Sequence, residues 1–243
     1  MTRPPTIPIQ PVITRAMLLD GGLDRMIGDG IPGLIRLTPE ERAASLAATL
    51  AARPAPLPGD AAPGIWVFAY GSLIWNPAMD FLERRFARLH GWHRSFCLST
   101  AAGRGTPELP GLVLGLDRGG ACAGAAFLIA DAVLETELAL LWCREMLAGS
   151  YTPRWVTLRD AAGLPYAHAI AFTINRAAQQ YTGIMTEADT VDRLSRAAGS
   201  LGSSADYLFQ TRDGLRALGI TDRRIERLAT EVEAQLAKNR ADP

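Results

Sequence analysis

The sequence contains almost no lysine and carries no net charge. Lys238 is the single lysine among 243 residues, and 25 Lys and Arg balance 25 Asp and Glu. One lysine near the end of the chain in practice excludes a lysine Schiff base and a phosphate-binding P-loop. A neutral chain also lacks the excess positive charge that holds nucleic acid or an anionic membrane surface. We therefore expect neither of these partners.

Cysteine and histidine are also scarce and widely spaced. The chain has three of each, namely Cys97, Cys122, Cys143, His90, His93 and His168. They form no CxxC pair and no HxxxH spacing, so we predict neither a disulfide framework nor a structural zinc site. No metal and no other cofactor is expected.

Long hydrophobic runs are absent as well. No apolar stretch approaches the roughly 20 residues of a membrane span, and the N-terminus, with Pro4 and Pro5, has no apolar signal segment. A protein of the reducing cytoplasm is the expectation. Hydrophobic residues make up 48% of the chain and charged residues 21%, which is enough for a full core. The length predicts one large domain, with or without a terminal extension.

The first 63 residues differ from the rest of the chain in composition and in hydrophobic pattern. Residues 1–37 are rich in Pro, Gly and Ile without a clear period, which predicts an irregular arm. Thr38, Pro39 and Glu41 form a capping-box pattern that predicts a helix up to about residue 52. Prolines and glycines then crowd residues 53–64, as in a linker. We therefore predict an N-terminal arm, helix and linker over 1–63 and a main domain over 64–238.

The main domain shows short β-type runs that pair as hairpins, followed by helices. Strands are predicted at 66–70, 86–98, 112–116, 123–129, 155–158 and 167–174, and helices at 134–147, 187–198, 205–218 and 222–238. The glycine pair in 117–120 predicts a hairpin turn, and Gly163 with Pro165 predicts a second one. This order favours an α+β fold over a doubly wound parallel sheet.

One carboxylate of the helix predicted at 134–147 faces the core. Its apolar stripe consists of Leu134, Leu138, Leu141 and Trp142. Glu145 falls near the middle of that stripe, while Glu135 and Glu137 lie further round with routes to water. Glu145 either pairs with an arginine at a helix end or is a desolvated carboxylate with a raised pKa, suited to general-base catalysis.

The strand at 66–70 runs directly into Gly71 and Ser72. Glycine at this place permits a positive φ and a close approach of a ligand to backbone N–H groups, and Ser72 adds a hydroxyl. The alternative is an ordinary turn. A nucleophile elbow is excluded, because residues 70–73 lack its second glycine.

Taken together, these motifs and their order resemble the ChaC-like branch of the γ-glutamylcyclotransferase family. The matching stretches are 67–75 (VFAYGSLIW), 91–97 (GWHRSFC), 104–107 (RGTP), 144–146 (REM) with Gly149 and Tyr151, and 201–202 (LG) with Tyr207 and Leu208. The match spans roughly residues 38–236, with Ala69 standing where the family usually has glycine. The resemblance implies a mixed sheet that closes toward a small barrel, with flanking helices.

The resemblance also implies an activity and a site. The family releases 5-oxoproline from γ-glutamyl compounds, here glutathione, when the substrate's α-amine attacks its own γ-carbonyl. Glu145 would be the base and then the acid. The loop of Tyr70, Gly71, Ser72 and Leu73 would hold the α-carboxylate or the oxyanion through its backbone N–H groups and the serine hydroxyl.

Three further residues are candidates for substrate binding. Arg104 fits the glycine carboxylate of glutathione, against the alternative of a surface arginine in a Gly-rich loop. Tyr151 and Tyr207 fit a pocket lining through their hydroxyls, against the alternative of core tyrosines. His93 is interpreted as a structural histidine in an alternating strand.

Other functions remain open at this stage. The substrate is either glutathione or another γ-glutamyl amino acid or amine. A non-catalytic γ-glutamyl-binding or regulatory protein on the same fold is a second class, which the presence of Glu145 disfavours. A cysteine hydrolase would need a histidine near Cys97 or Cys143. The expected partner is a small-molecule substrate, and the oligomeric state is left open.

Overall fold

The computed structural model describes residues 12–27 and 35–241. Five strands form its centre: β1 (Gly64–Ala69), β2 (Glu83–Thr100), β3 (Gly111–Ala130), β4 (Tyr151–Arg159) and β5 (Pro165–Ile174). They close into a barrel in the order β1-β3-β2-β4-β5. The sequential neighbours in this order are antiparallel, and a parallel pairing of β1 with β5 completes the barrel. The predicted α+β fold with a small barrel is confirmed.

Helices flank the barrel and cover its apolar residues. They are α3 (Pro39–Ala51), α4 (Leu134–Glu145), α5 (Glu187–Arg196), α6 (Ser204–Ala217) and α7 (Arg223–Ala241). β1 is buried along its whole length, because such a short strand is enclosed by the rest of the fold on both faces. From α4, Trp142 packs edge-to-face on Phe172 of β5, with ring centroids 5.0 Å apart. The end of α4 is thereby fixed against the barrel wall.

The helix starts follow the capping signals of the sequence. The Thr38 hydroxyl accepts from the Glu41 amide, and the Glu41 carboxylate accepts from the Thr38 amide, so the predicted capping box is confirmed. The start of α7 differs slightly, because the Asp222 carboxylate accepts from the amides of Arg224 and Ile225. Asp222 is therefore the N-cap, and α7 begins at Arg223, one residue later than predicted.

The hairpin turn predicted at 117–120 is wrong. β3 runs through it as one strand, paired with β2 on both sides of a register shift between His90 and Trp92. Gly119 and Gly120 do adopt positive φ, at 106° and 67°, but they accommodate this irregularity in a long strand pair instead of reversing the chain. Glycine with positive φ serves a bulge as well as a turn, so the sequence signal was ambiguous. The hairpin predicted around Gly163 is confirmed by the antiparallel pairing of β4 and β5.

The N-terminal region is more ordered than predicted. Two short helices, α1 (Arg15–Leu19) and α2 (Gly22–Ile27), occupy part of the expected irregular arm, whereas 1–11 and 28–34 lie outside the described residues. The route to water predicted for Glu137 is also wrong: its side chain is 1% exposed and accepts two hydrogen bonds from Arg15. Arg15 of α1 and the Asp80 amide both contact this carboxylate. The division at residue 63 stays a prediction.

Two very short strands, β6 (Ala198–Gly199) and β7 (Gly202–Ser203), pair with each other between α5 and α6. Ser203 then caps α6 through the Asp206 amide. Within 12–27 and 35–241, no helix has the length and apolar character needed to cross a membrane.

Candidate active site

A cavity of about 620 Å³ opens beside the barrel. Its wall combines the turn after β1, the C-terminal end of α4, the start of β4 and the first turns of α6. Its polar lining includes Ser72, Arg104, Arg144, Glu145, Tyr151 and Tyr207. Its size lies within the range of roughly 300–1,000 Å³ that is typical of small-molecule sites. The elements that carry the sequence motifs therefore converge on one pocket.

Glu145 is the last residue of α4 and faces this cavity. Leu138, Leu141 and Trp142 of the predicted stripe are almost fully buried, and the Glu145 side chain between them is 12% exposed. Burial raises the pKa of Glu145, and the nearby Arg144 lowers it to a smaller extent. The two alternatives for Glu145 do not exclude each other, because this desolvated carboxylate also has an arginine partner. Its role as a base stays a prediction.

Arg144 connects Glu145 to the turn after β1. Its Nε lies 3.1 Å from Glu145 Oε1, one Nη donates to Ser72 Oγ at 2.9 Å, and the other donates to the Asn76 carbonyl at 2.6 Å. The guanidinium is itself almost buried, with 4% of its side chain exposed. A planar, multidentate cation in this place fixes the carboxylate and the serine hydroxyl relative to each other.

The four loop residues divide between the cavity and the core. Ser72 lines the cavity, whereas Tyr70 and Leu73 are buried in the hydrophobic core. The Tyr70 hydroxyl donates to the Phe172 carbonyl at 2.8 Å, inside the barrel. Any binding role of Tyr70 and Leu73 therefore belongs to their backbone, and such roles stay predictions.

Gly71 does not adopt the positive φ that the sequence permits, while the close approach of a ligand stays a prediction. Its φ is −132°, so no left-handed conformation is involved. A Cβ built on this residue would lie 2.8 Å from the hydroxyl oxygen of Tyr207 and 3.6 Å from Leu114 Cβ. The missing side chain lets α6 bring Tyr207 against the turn, and that contact closes one side of the cavity.

Arg104 is not the surface residue of the alternative interpretation. It is 5% exposed and lies 5.9 Å from the ring centroids of both Trp75 and Tyr207. It donates at 3.3 Å to the Ser203 carbonyl and at 3.5 Å to Gln210 Oε1. Burial lowers the pKa of this guanidinium, and it forms no ion pair with a carboxylate of the described chain. It lines the cavity with hydrogen-bonding capacity to spare.

Tyrosine hydroxyls surround the carboxylate. Tyr151 and Tyr207 both line the cavity, and the Tyr151 hydroxyl donates to the Leu114 carbonyl at 2.9 Å. Burial, followed by the charges of neighbouring groups including Glu145, raises the pKa of Tyr70 and Tyr151 well above 10. These hydroxyls therefore stay protonated at neutral pH and remain donors.

The remaining sequence candidates lie apart from this chemistry. His93 contacts the Gly119 carbonyl at 3.1 Å on the other side of β2 and does not line the cavity. Burial raises the pKa of Cys97 to about 12, opposite to the shift of an activated nucleophile. No described histidine lines the cavity, which removes the base that a cysteine hydrolase needs. The described residues also contain no group of three potential metal ligands.

Sequence reasoning missed two parts of the site. The role of Arg144 was overlooked, although its place beside Glu145 in the Arg-Glu pair was a usable signal. Four apolar residues of the N-terminal region also line the cavity: Val12, Ile13, Leu23 and Met26. They follow no period in the sequence, so nothing there could have assigned them to the pocket.

Comparisons with known proteins agree with the architecture and the motifs. The family described as ChaC-like protein matches residues 65–235. The glutathione-specific γ-glutamylcyclotransferase of Escherichia coli is 40% identical over 95% of this chain and 96% of its own length. The γ-glutamylcyclotransferase 2-1 of Arabidopsis thaliana is 30% identical over 71% of this chain and 83% of its own.

A solved structure has the same fold. The yeast γ-glutamylcyclotransferase specific to glutathione superposes with a TM-score of 0.65 at 21% identity. The superposition covers 71% of this chain and 96% of that one.

Proposed function

The chain belongs to the ChaC-like family, and on that premise we propose that it cleaves glutathione to 5-oxoproline and cysteinylglycine. The observation that carries the proposal is the position of Glu145, a nearly buried carboxylate with a raised pKa that faces a cavity of substrate size. The E. coli relative, similar over almost its whole length, is named for this activity.

The reaction is an intramolecular aminolysis. The α-amine of the γ-glutamyl unit attacks the γ-carbonyl carbon, a C–N bond closes the five-membered ring, and the amide bond to cysteine breaks. Both reacting groups belong to one molecule, so folding the chain into a near-attack shape supplies much of the rate gain. The enzyme must still remove a proton from the ammonium group, stabilise the oxyanion and protonate the departing amine.

Glu145 performs both proton transfers. The attacking nitrogen loses two protons between the ammonium and the lactam N–H, and the departing nitrogen gains two between the amide N–H and its ammonium form. As a carboxylate Glu145 takes each proton, and as a carboxylic acid it passes it to the departing nitrogen. A pKa raised by burial brings this acid–base pair closer to neutral pH, where both forms are accessible. Arg144, at 3.1 Å, holds the carboxylate in place and keeps its pKa from rising further.

Hydrogen-bonding groups around Glu145 bind the substrate and stabilise the oxyanion. The loop at residues 70–73 offers backbone N–H groups and the Ser72 hydroxyl to the α-carboxylate or the developing oxyanion. Tyr207 adds a hydroxyl donor from another wall. The Tyr151 hydroxyl donates its proton to the Leu114 carbonyl, so its oxygen can accept from the substrate ammonium. Arg104, a buried cation with no carboxylate partner among the described residues, suits the terminal glycine carboxylate of the substrate.

A direct assay tests the proposal. Purified protein is incubated with glutathione, γ-glutamylcysteine and γ-glutamylalanine, and 5-oxoproline is detected by mass. We expect 5-oxoproline and cysteinylglycine from glutathione at the highest rate. A higher rate with the dipeptides would favour a general γ-glutamyl cyclotransferase. If none of the three compounds yields 5-oxoproline, the alternative of a non-catalytic binding or regulatory protein of the same fold is favoured.

The cytoplasm is the proposed site of the reaction. All three cysteines are unpaired in the structure, as is typical of proteins in a reducing compartment. Detecting the protein in the soluble fraction of fractionated cells would test this assignment, and recovery from an oxidising compartment would contradict it.

A further inference from the structure

The N-terminal region supplies an apolar wall of the cavity. Val12, Ile13, Leu23 and Met26 line it, and we call residues 12–27 the N-terminal wall. The proton-transferring and hydrogen-bonding groups come from elsewhere, chiefly from the end of α4 and from the turn after β1. One cavity therefore combines polar groups suited to the reaction with an apolar surface that favours apolar parts of a ligand.

The N-terminal wall is attached to the helix that carries Glu145. Arg15 donates from both terminal nitrogens to the two oxygens of Glu137, each at 2.5 Å, and Glu137 also accepts from the Asp80 amide. Leu18 and Leu23 pack on Leu140 of the same helix. An arginine fork on a carboxylate that is 1% exposed holds its partner in one orientation.

A second attachment leads to the turn after β1. The Asn76 side-chain amide donates to the Ile13 carbonyl at 2.9 Å, while the Asn76 carbonyl accepts from Arg144. Asn76 thus connects Ile13 to Arg144, the residue whose hydrogen bonds fix Glu145 and Ser72. The wall is a fixed part of the pocket in the described structure.

The N-terminal wall lies outside the stretch that the family model matches, which begins at residue 65. The alignment with the E. coli relative covers 95% of this chain and therefore extends into the wall. The barrel, Ser72, Arg144 and Glu145 all lie within the stretch that the family model matches. A part of the pocket that carries only apolar lining residues is suited to select substrates and not to transfer protons.

The leaving group is the part of the substrate that such a wall can select. Under the proposed function, on which this step rests, every substrate places the same γ-glutamyl unit at Glu145. Substrates differ in the amine that departs. In glutathione this amine carries a cysteine side chain, which is uncharged and weakly polar. That side chain complements the half-buried surfaces of Ile13 and Met26.

We propose that the N-terminal wall is a specificity element that selects γ-glutamyl peptides whose leaving amine carries an apolar or thiol side chain. Its contacts with that side chain strengthen binding of glutathione and related peptides. Peptides with glycine at this position have nothing to place against the wall.

Three tripeptides that differ in one side chain test the proposal: glutathione, γ-glutamyl-α-aminobutyryl-glycine and γ-glutamyl-glycyl-glycine. All three keep the γ-glutamyl unit and the terminal carboxylate. For the wild type we expect kcat/KM to be similar for the first two and roughly tenfold or more lower for the third, as for removal of a small group from an apolar pocket. The double variant Ile13→Ala/Met26→Ala should lose roughly tenfold for the first two, chiefly through KM, and little for the third.

Leu19→Ala is the matched control. Leu19 belongs to the same segment but is 60% exposed and does not line the cavity, so its truncation should leave all three rates unchanged. Because the substrates are compared on one preparation, a smaller folded fraction lowers every rate equally and does not imitate a selective loss. Circular dichroism of each variant checks the fold.

Two results would overturn the proposal. The double variant could keep the wild-type kcat/KM for glutathione, or it could lose the same factor for all three peptides. Either result would show that the N-terminal wall does not distinguish substrates by the side chain of the leaving amine. Failure of the proposed function is a separate result, because the wild type would then release no 5-oxoproline from any tripeptide, whatever the variants do.

Discussion

The guanidinium of Arg144 lies 3.1 Å from the carboxylate of Glu145, its neighbour at the end of α4, and the same guanidinium holds the Ser72 hydroxyl at 2.9 Å. Consecutive helical residues normally point about 100° apart, so this contact requires the side chains to bend toward each other where the helix ends. The pair joins the candidate base to the candidate binding loop. Both residues are nearly buried, and therefore the interaction is poorly screened by water.

Replacing Glu145 by glutamine should abolish 5-oxoproline formation and preserve the fold. The amide has almost the same shape but cannot take the proton of the substrate ammonium, and general-base catalysis contributes about 10² to 10⁴-fold. Glu135→Gln, on the exposed side of α4, is the matched control and should keep the wild-type rate. A folded Glu145→Gln protein that retains more than about a tenth of the wild-type rate would remove this residue from the role of base.

Replacing Arg144 by methionine should move the acidic limb of the pH–rate profile to higher pH. The base must be ionised, so kcat/KM falls as the pH drops below the pKa of Glu145. Arg144 lowers that pKa against the larger effect of burial, and loss of its charge lets the pKa rise. Arg144→Lys keeps the charge and a hydrogen-bond donor and should shift the limb less, while the methionine variant also loses rate because Ser72 loses its donor. An unshifted acidic limb in the methionine variant would show that Arg144 does not influence the base.

Replacing Gly71 by alanine should reduce activity through Tyr207. The added Cβ would lie 2.8 Å from the tyrosine hydroxyl oxygen, so the Tyr207 side chain, the turn or α6 must move. In the double variant Gly71→Ala/Tyr207→Phe that oxygen is gone, and the glycine substitution should cost less than it does in the wild type. A double-mutant cycle on kcat/KM measures the difference. Equal effects in both backgrounds would mean that the glycine is needed for another reason, such as ligand approach.

Replacing Arg15 by methionine should destabilise the protein at neutral pH by about 2 kcal/mol, because it leaves Glu137 without its cation. The hydrogen bonds from Arg15, the largest cause, hold the pKa of Glu137 below its ordinary value of 4.5. A depressed folded-state pKa gives stabilisation that is present above 4.5 and is lost as the pH falls through the folded pKa. The difference in unfolding free energy between variant and wild type should therefore shrink on acidification.

Urea denaturation at neutral and acidic pH measures this difference. Arg25→Met is the control within the same segment, since the ion pair of Arg25 with Asp20 is exposed on both sides and should contribute little. If the two variants lose the same stability at neutral pH, the buried position of Glu137 has no energetic consequence.

Much of the site could be predicted because its signals are local. The position of Glu145 follows from the helical period around Leu138, Leu141 and Trp142, and the helix starts follow from short capping patterns such as Thr38 with Glu41. The turn at Gly71 and Ser72 follows from a glycine directly after an apolar strand. Each of these features depends on neighbours within about one helical turn or one strand, so the sequence alone determines it.

Other features depend on contacts between distant parts of the chain. Glu137 is paired with Arg15, which lies 122 positions earlier in the chain. Gly71 is crowded by Tyr207, which α6 brings to the same turn. The glycine pair of β3 was ambiguous for the same reason: a positive φ fits a turn or a bulge, and the pairing partner decides which forms. Local sequence patterns were therefore enough to identify the helices after residue 133, most strands of the barrel and the candidate base. The side chains that surround and cover that base depend on the packing of distant segments, because burial and close approach are properties of packed pairs.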